Sequence, residues 1–137
     1  MLSRSTRFVV AFVAIAAFLA ALPGCGDSPT SPGVNPEIVN LADHFSYQVS
    51  SIQRYSATAS YTWSNNGAQA TINQACSVSA GSATLVVLDG AAVQVYTRSL
   101  VDNGTFTTAS GTPGSWTIRI VYDGVSATVN FRADVTT

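Results

Sequence analysis

Charge is scarce in this chain of 137 residues: Asp, Glu, Lys and Arg together make up only 9% of it, and the formal net charge is −1. The sequence contains no Lys, so its six cations are all Arg. A chain this poor in cations cannot form the strongly basic surface that neutralises the phosphates of a nucleic acid, which excludes that class of partner. The hydrophobic content of 47% argues against an acidic disordered chain, and the length fits one small domain.

Titratable groups are equally few, and this bears on catalysis. A zinc site takes three or four His, Cys or carboxylate ligands, whereas the single His44 has no His or Cys near it in the sequence. Beside Asp43, it is interpreted as a polar residue at the start of a strand. No nucleophile-elbow pattern accompanies the abundant Ser and Thr residues. The composition therefore predicts a protein that is not an enzyme and that uses no cofactor or metal.

Hydrophobic residues, in contrast, are concentrated at the N-terminus. Arg4 and Arg7 precede an uninterrupted apolar run over residues 8–22, which ends at Pro23 and Gly24. A positive segment, a short apolar run and small residues after it are typical of a secretory signal peptide. The run is shorter than the roughly 20 apolar residues that cross a bilayer, so the pattern favours export over a transmembrane anchor.

The segment Leu22-Pro23-Gly24-Cys25 resembles a bacterial lipobox, in which the signal is cut just before a Cys whose thiol carries a diacylglycerol. Three of the four positions match the pattern, and Pro23 is the departure. The resemblance implies that residues 1–24 are a lipoprotein signal peptide and that Cys25 is the lipid attachment site. The two or three acyl chains of such a lipoprotein give stable membrane anchoring, which a single chain does not. The alternative is an ordinary cleaved signal followed by an incidental Cys.

The lipobox resemblance also bears on location. In the enterobacterial sorting pattern an Asp after the lipidated Cys retains the protein at the inner membrane, so Gly26 favours the outer membrane. Residues 25–36 hold the lipidated Cys and a Pro-, Gly- and Ser-rich tether that cannot bury enough surface to fold. Loss of Arg4 and Arg7 leaves four Arg against seven acidic residues, a net charge of −3 for the mature chain.

Residues 37–137 show strand-like alternation with no sustained helical period. The alternation is interrupted by four pairs that favour type I′ hairpin turns: Asn66-Gly67, Asp89-Gly90, Asn103-Gly104 and Asp123-Gly124. A hairpin at the last pair puts four apolar cross-strand pairs on one face: Tyr122–Val125, Ile120–Ala127, Ile118–Val129 and Trp116–Phe131. A hairpin at the first pair does the same through Trp63–Ala70, Tyr61–Ile72, Ala59–Gln74 and Ala57–Cys76.

Further strands are predicted around residues 45–52, 83–88, 92–97 and 105–109, which brings the count to about eight. The register is ambiguous around Asp89-Gly90, because both flanking strands are apolar on both faces and a longer loop fits as well. The fold class is therefore all-β, with a single antiparallel β-sandwich, jelly-roll or Ig-like, over residues 37–137.

The stretch over residues 111–120, followed by a strand ending in Phe131, resembles the closing strands of pre-peptidase C-terminal-like and related jelly-roll domains of secreted bacterial proteins. Those domains share a Gly-x-Trp/Tyr-x-aliphatic-x-aliphatic strand, matched here by Gly114, Trp116, Ile118 and Ile120. The resemblance implies a sandwich fold and an accessory role rather than a reaction.

Three groups of side chains are candidate functional sites. Cys76 has no intramolecular partner if Cys25 is acylated, and its inward position predicts a small, inert, buried residue. Six aromatic residues could instead form a sugar-stacking platform, although core packing is the default for those on inward faces: Tyr47, Tyr55, Tyr61, Trp63, Tyr96 and Trp116. Asp89, Asp102 and Asp123 could bind Ca²⁺ if their turns shared one end of the fold, but turn chemistry already explains each of them.

These patterns together predict a lipid-anchored protein of the bacterial cell envelope. Its β-sandwich acts as a non-enzymatic module that binds an envelope protein or a glycan through a Ser- and Thr-rich surface. The alternative is a carbohydrate-binding or adhesion module that uses exposed aromatic residues. The partners expected are the membrane, reached through the lipid, and that protein or glycan.

Overall fold

The computed structural model describes residues 34–137, which form strands and no helix, so this part of the chain contains no helix that could span a membrane. The strands of this range are β1 (Glu37–Leu41), β2 (His44–Asn65), β3 (Ala70–Gln74), β4 (Ser77–Leu88), β5 (Gln94–Ser99), β6 (Gly104–Thr107) and β7 (Gly114–Val135). All pairings between them are antiparallel. The all-β fold class predicted from the sequence is confirmed.

The strands belong to one sheet that folds over on itself. The order is β1-β2-β7-β3-β6, and β4 pairs with both β7 and β5. We call the part made of β1, residues 44–49 of β2, residues 129–135 of β7, β3 and β6 the first layer. The second layer consists of residues 57–65 of β2, residues 114–122 of β7, residues 82–88 of β4, and β5. The two long strands β2 and β7 thus run through both layers.

Ring contacts within β2 show that the layers face each other. The rings of Phe45 and Tyr61 lie 5.7 Å apart, and those of Tyr47 and Tyr61 lie 5.9 Å apart. A straight strand would separate Phe45 from Tyr61 by about 53 Å, so β2 doubles back. Between β5 and β3, the Tyr96 hydroxyl donates a hydrogen bond to Gln74 Oε1 at 2.7 Å. The result is a sandwich whose layers share their strands.

The strands bend at one level of the sheet. Ser51 and Arg54 of β2 have positive φ angles of 57° and 47°, within a stretch of β2 where its pairing with β7 shifts register repeatedly. The pairing of β4 with β7 also shifts on either side of Gly81, whose φ is 68°, and Gly124 of β7 has a φ of 55°. Register shifts of this kind are β-bulges, which bend a strand and increase its twist.

The core lies between the layers and contains the inward faces that the alternation predicts. Every residue of the predicted apolar face around positions 123 and 124 is buried, at 7% exposure or less. These residues are Trp116, Ile118, Ile120, Tyr122, Val125, Ala127, Val129 and Phe131. The rings of Trp63 and Trp116, on neighbouring strands, meet edge to face at 6.0 Å. The assignment of residues to the inner face is therefore confirmed.

The predicted hairpin at Asp123-Gly124 is wrong, because this pair lies within the continuous strand β7. Tyr122 pairs with Ala57, and Val125 pairs with Tyr55, so both neighbours of the bend pair with β2 rather than with each other. Gly124 adopts the positive φ that a hairpin turn also needs. A bulged bend with one extra residue and a two-residue hairpin both move the inward side chains from even to odd positions, so the alternation fits either structure.

The predicted hairpin at Asn66-Gly67 is also wrong. Asn65 pairs with Gly114 in the second layer, whereas Ala70 pairs with Val135 in the first layer. The connection therefore crosses between layers, and Asp43 holds it by accepting hydrogen bonds from the Asn66 backbone N–H and side-chain amide at 2.7 and 3.0 Å.

Of the other two Asx-Gly pairs, one lies in a hairpin loop and the other does not. Asp89 and Gly90 lie in the loop over residues 89–93 that joins β4 to β5, which is a hairpin with the longer loop. Asn103 precedes β6, which pairs with β3 and not with β5, so this pair marks a second crossing between layers. Residues 34–137 form seven strands rather than about eight. β2 and β7 each continue through a bend where the sequence predicts two strands, and β1 is a strand that the sequence does not predict.

Candidate functional site

The outer face of the second layer carries a regular group of hydroxyl side chains. The outward residues of β2 and β7 pair directly as Ser64 with Ser115 and Thr62 with Thr117, and Thr58 and Ser60 continue the row along β2. We call these six residues the hydroxyl face. All are exposed except Thr117, which is half-buried. Their side chains point outward because the alternate residues Ala59, Trp63, Trp116 and Ile118 fill the core.

The geometry of the hydroxyl face follows from the strands that hold it. Paired residues on neighbouring strands lie about 4.8 Å apart, and outward residues along one strand repeat at about 6.7 Å. The β-branched Thr side chains have few rotamers, so little conformational entropy is lost when they engage a ligand. Each hydroxyl both donates and accepts hydrogen bonds. Such a surface suits a ligand that itself carries many hydroxyl or amide groups.

One charged side chain, that of Arg119, lies beside the hydroxyl face. Arg119 pairs with Ser60 and lies half-buried at the end of the row. Beyond it, half-buried Val86 and exposed Val121 continue the outer surface toward β5. The face contains no carboxylate, imidazole or thiol, so its chemistry is hydrogen bonding rather than proton transfer.

The outer face of the first layer has a different character. His44 Nδ1 and Asp134 Oδ1 lie 2.5 Å apart, and Arg132 Nε lies 3.6 Å from the other carboxylate oxygen. Both side chains of the first pair are about 40% exposed, at 40% and 42%. His44 begins β2, as predicted for a polar residue at a strand start. Among residues 34–137 its side chain has no hydroxyl or thiol partner, so the pair joins β2 to β7 without a nucleophile in reach.

The aromatic residues considered for a sugar platform lie in the core. Five of the six are at most 8% exposed, and Tyr61 is half-buried against the core. Trp63 Nε1 donates to the Leu41 carbonyl at 3.1 Å, and Trp116 Nε1 donates to the Thr112 carbonyl at 2.8 Å. Both indole donors are therefore satisfied inside the protein. This placement confirms the core interpretation and leaves no platform of these six on the surface.

Sequence reasoning missed a tyrosine cluster between the layers. The hydroxyls of Tyr47 and Tyr122 are 2.7 Å apart in the core, and the rings of Tyr55 and Tyr122 are 5.1 Å apart. Burial raises the pKa of Tyr47 to about 12 and also raises the pKa values of Tyr61 and Tyr122. The alternation predicts that these tyrosines point inward. It does not predict that their hydroxyls meet, because that contact depends on the bend of the strands. We regard it as a polar part of the core.

The three Asp residues considered for Ca²⁺ have separate local roles. Asp89 accepts the backbone N–H groups of Thr112, Val93 and Ala91 at 2.8 to 2.9 Å, and these bonds lower the pKa of its carboxyl group. Asp102 lies 3.6 Å from Arg98. Asp123 lies at the bend of β7. Over residues 34–137, no three His, Cys, Asp or Glu residues gather in a group that could hold a metal ion.

Cys76 is buried, as predicted, with 7% exposure. Its partner is not Ala57: its thiol contacts the backbone of Asn130 in β7, donating to the carbonyl at 3.3 Å. The Asn103 side chain accepts from the Cys76 N–H at 2.7 Å and donates to its carbonyl at 2.9 Å. Burial raises the pKa of the thiol, which keeps it protonated and unreactive.

The predicted lipid attachment site Cys25, the signal peptide and all but the last residues of the tether lie outside the described residues. Their roles remain predictions from the sequence. A second feature that sequence reasoning missed lies next to them: β1 is an edge strand whose residues are all exposed, including Ile38, Val39 and Leu41. The signal for it was the short apolar run in residues 38–41, which precedes the first strand that the sequence predicts.

Comparison with family models, with curated proteins and with solved structures finds no match to this chain. The fold and the hydroxyl face are therefore interpreted from their own geometry.

Proposed function

We propose that this protein is a lipid-anchored component of the bacterial cell envelope, with the outer membrane favoured, and that its sandwich is a non-enzymatic binding module. The hydroxyl face is the binding surface. The observation that carries the proposal is the regular group of six uncharged hydroxyl side chains on rigid strands. The anchor is supported by the apolar run and lipobox-like segment that end at Cys25.

The character of the surface supports a glycan of the envelope as the ligand. Sugars present hydroxyl and amide groups that pair with Ser and Thr hydroxyls in both directions. A face without carboxylates also avoids the penalty of removing a charge from water on binding. The strand framework holds the hydroxyls in place before the ligand arrives, which lowers the entropy lost on binding.

The anchor is tested by growth with radioactive palmitate. We expect the wild-type protein to be labelled and to fractionate with membranes, and we expect Cys25→Ser to lose the label because no other described cysteine is accessible: Cys76 is buried. Labelled Cys25→Ser protein, or an unlabelled wild type, would contradict lipid attachment at this residue.

The binding surface is tested by sedimentation of the detergent-solubilised full-length protein with purified peptidoglycan sacculi. Thr62→Arg places a long cation in the centre of the hydroxyl face, whereas Gln48→Arg makes the same change at an exposed site on the same strand in the first layer. We expect wild type and Gln48→Arg to pellet with sacculi and Thr62→Arg to stay in solution. Equal pelleting of both variants would contradict the assignment of the face.

An envelope protein is the second candidate for the ligand. The half-buried Val86 and the exposed Val121 beside Arg119 give the outer surface an apolar margin that a protein partner could cover. Chemical cross-linking of the protein in intact cells distinguishes the two, since a protein partner gives a band of defined mass that muramidase treatment does not remove.

A further inference from the structure

Exposed apolar side chains are concentrated in one short part of the fold. Of the large hydrophobic residues exposed in residues 34–137, three lie within the five residues of β1: Ile38, Val39 and Leu41, at 37%, 46% and 61% exposure. Two of them pair with polar residues of β2: Val39 with Ser46 and Leu41 with His44. The strand also forms an edge of the sheet, where the Asn40 side chain donates to the Thr62 carbonyl at 2.8 Å and the Leu41 carbonyl accepts from Trp63 Nε1 at 3.1 Å, while the side chains of Val39 and Leu41 stay exposed.

The position of β1 along the chain places it close to Cys25. The strand begins at Glu37, so only residues 26–36 separate it from Cys25. Val34, near the end of this segment, is buried in the core, so the nine residues from Cys25 to Val34 set the reach, at most about 32 Å when fully extended. If Cys25 carries the lipid, β1 is the strand nearest to it along the described chain and stays in the vicinity of the membrane.

We propose that β1 docks on the surface of the bilayer that holds the Cys25 lipid, through Val39 and Leu41, which share the outer face of the strand. This inference rests on the lipid anchor of the proposed function. A tether of this length keeps the strand at an effective concentration in the millimolar range, so a contact too weak to recruit a free protein is populated in the anchored one.

The charges around β1 identify the kind of contact. Glu37 and Asp43 flank the strand, and the nearby Arg132 lies 3.6 Å from the Asp134 carboxylate. The strand therefore has no excess of cations to attract anionic headgroups. Docking depends on the apolar side chains, so it persists at high salt and is stronger on zwitterionic than on anionic bilayers.

The test uses the full-length acylated protein in vesicles of phosphatidylcholine and phosphatidylethanolamine. An environment-sensitive fluorophore is attached in Leu41→Cys and, as a matched control, in Val101→Cys. Val101 is exposed to a similar degree, at 53%, but precedes β6 at the opposite edge of the first layer. The native Cys25 is blocked by its lipid, and Cys76 is buried.

We expect the probe at position 41 to emit at shorter wavelength than the probe at position 101 and to be quenched by nitroxide-labelled lipids. Adding Val39→Ser to the Leu41→Cys protein should return its emission toward that of the control. Trp emission of each variant confirms that the fold is retained, because Trp63 and Trp116 are fully buried.

Three results overturn the inference, and they separate it from the proposed function. Acylated protein whose position-41 probe behaves like the control refutes docking and leaves the anchor standing. A signal that depends on protein density and ignores the nitroxide lipids shows that a second copy pairs with the β1 edge instead. Protein that is not acylated at Cys25 refutes both proposals.

Discussion

The two layers share strands and a core, yet they turn different surfaces to solvent. The outer face of the first layer carries the charged cluster of His44, Arg132 and Asp134 and ends in the exposed apolar edge β1. The outer face of the second layer carries the six hydroxyls of the hydroxyl face. The same two strands build both faces, so the difference arises only from which residues stand at outward positions. Under the proposed function, the second layer meets the ligand and the first layer meets the membrane.

The largest expected effect tests whether the two layers form one folding unit. Trp116→Ala empties a fully buried site in the second layer and should lower the free energy of unfolding by about 3–5 kcal/mol. Because β7 runs through both layers, hydrogen exchange should accelerate in β3 of the first layer as much as in β4. Urea denaturation and amide exchange measure the two effects. Acceleration confined to β4 and β5 would show that the layers unfold separately.

A smaller effect is expected at the bend that joins the layers. In Gly81→Ala the new Cβ would lie 2.3 Å from the Gly124 carbonyl oxygen, at a φ of +68° that disfavours any side chain. We expect a loss of about 2 kcal/mol or more. Gly124→Ala is the control, since its φ is +55° but its Cβ meets nothing within 4 Å, so it should lose about 1 kcal/mol. Equal losses in urea denaturation would contradict the close packing of β4 on the bend.

The tyrosine cluster connects the layers with a more modest contribution. Tyr122→Phe removes the 2.7 Å hydrogen bond between the Tyr47 and Tyr122 hydroxyls and leaves Tyr61 as the remaining side-chain partner of Tyr47, which should lower the free energy of unfolding by about 1 kcal/mol. Tyr55→Phe removes the hydroxyl of a neighbouring ring, leaves that pair in place and serves as the comparison. If both variants lose the same amount, the Tyr47–Tyr122 hydrogen bond makes no special contribution.

The same cluster gives a pH dependence with a defined sign. Burial raises the pKa of Tyr47 to about 12 from an ordinary value of 10.0, so the folded protein keeps the proton that the unfolded chain loses. Stability should be independent of this group below pH 10 and should fall as the pH rises from about 10 to about 12. Urea midpoints measured across this range should fall for wild type and less steeply for Tyr47→Phe.

Substitutions on the outer faces should have the smallest effect on stability. Thr62→Ala and Gln48→Ala each remove an exposed side chain from β2, one from each layer, and both should change the free energy of unfolding by less than about 0.5 kcal/mol. This result separates binding from folding, because a ligand-binding loss in Thr62 variants then has no structural cause. A large destabilisation by either variant, seen in urea denaturation, would make the sedimentation comparison uninformative.

The sequence predicts the faces of the strands better than their pairing. Within residues 116–131, the alternation places even-numbered side chains inward up to Tyr122 and odd-numbered ones inward from Val125. All of these side chains lie in the core, as predicted. A hairpin and a bulged bend produce the same change from even to odd positions, and only contacts between distant strands decide between them. The partners of β7 at this bend are residues of β2 and β4 that lie 29 or more positions away along the chain, and no local turn signal reports their pairing.

The candidate surfaces were predictable to different extents. The richness of the outward positions in Ser and Thr was visible in the alternation, but their arrangement as directly paired rows, such as Thr62 beside Thr117, depends on the β2–β7 register. The exposed edge at β1 was not predicted, because its residues Ile38, Val39 and Leu41 have the composition of a buried strand. Only the sheet order places them at an edge.

The most direct test of the account compares the two outer faces in living cells. A photo-cross-linking amino acid is placed in the full-length anchored protein at Thr62 in the second layer or at Gln48 in the first layer, two exposed sites on one strand. The account predicts that irradiation links the Thr62 probe to peptidoglycan and leaves the Gln48 probe without a peptidoglycan adduct, with muramidase digestion reducing the Thr62 adduct to muropeptide size. Equal cross-linking from both positions, or none from Thr62, would contradict the assignment of the hydroxyl face as the binding surface.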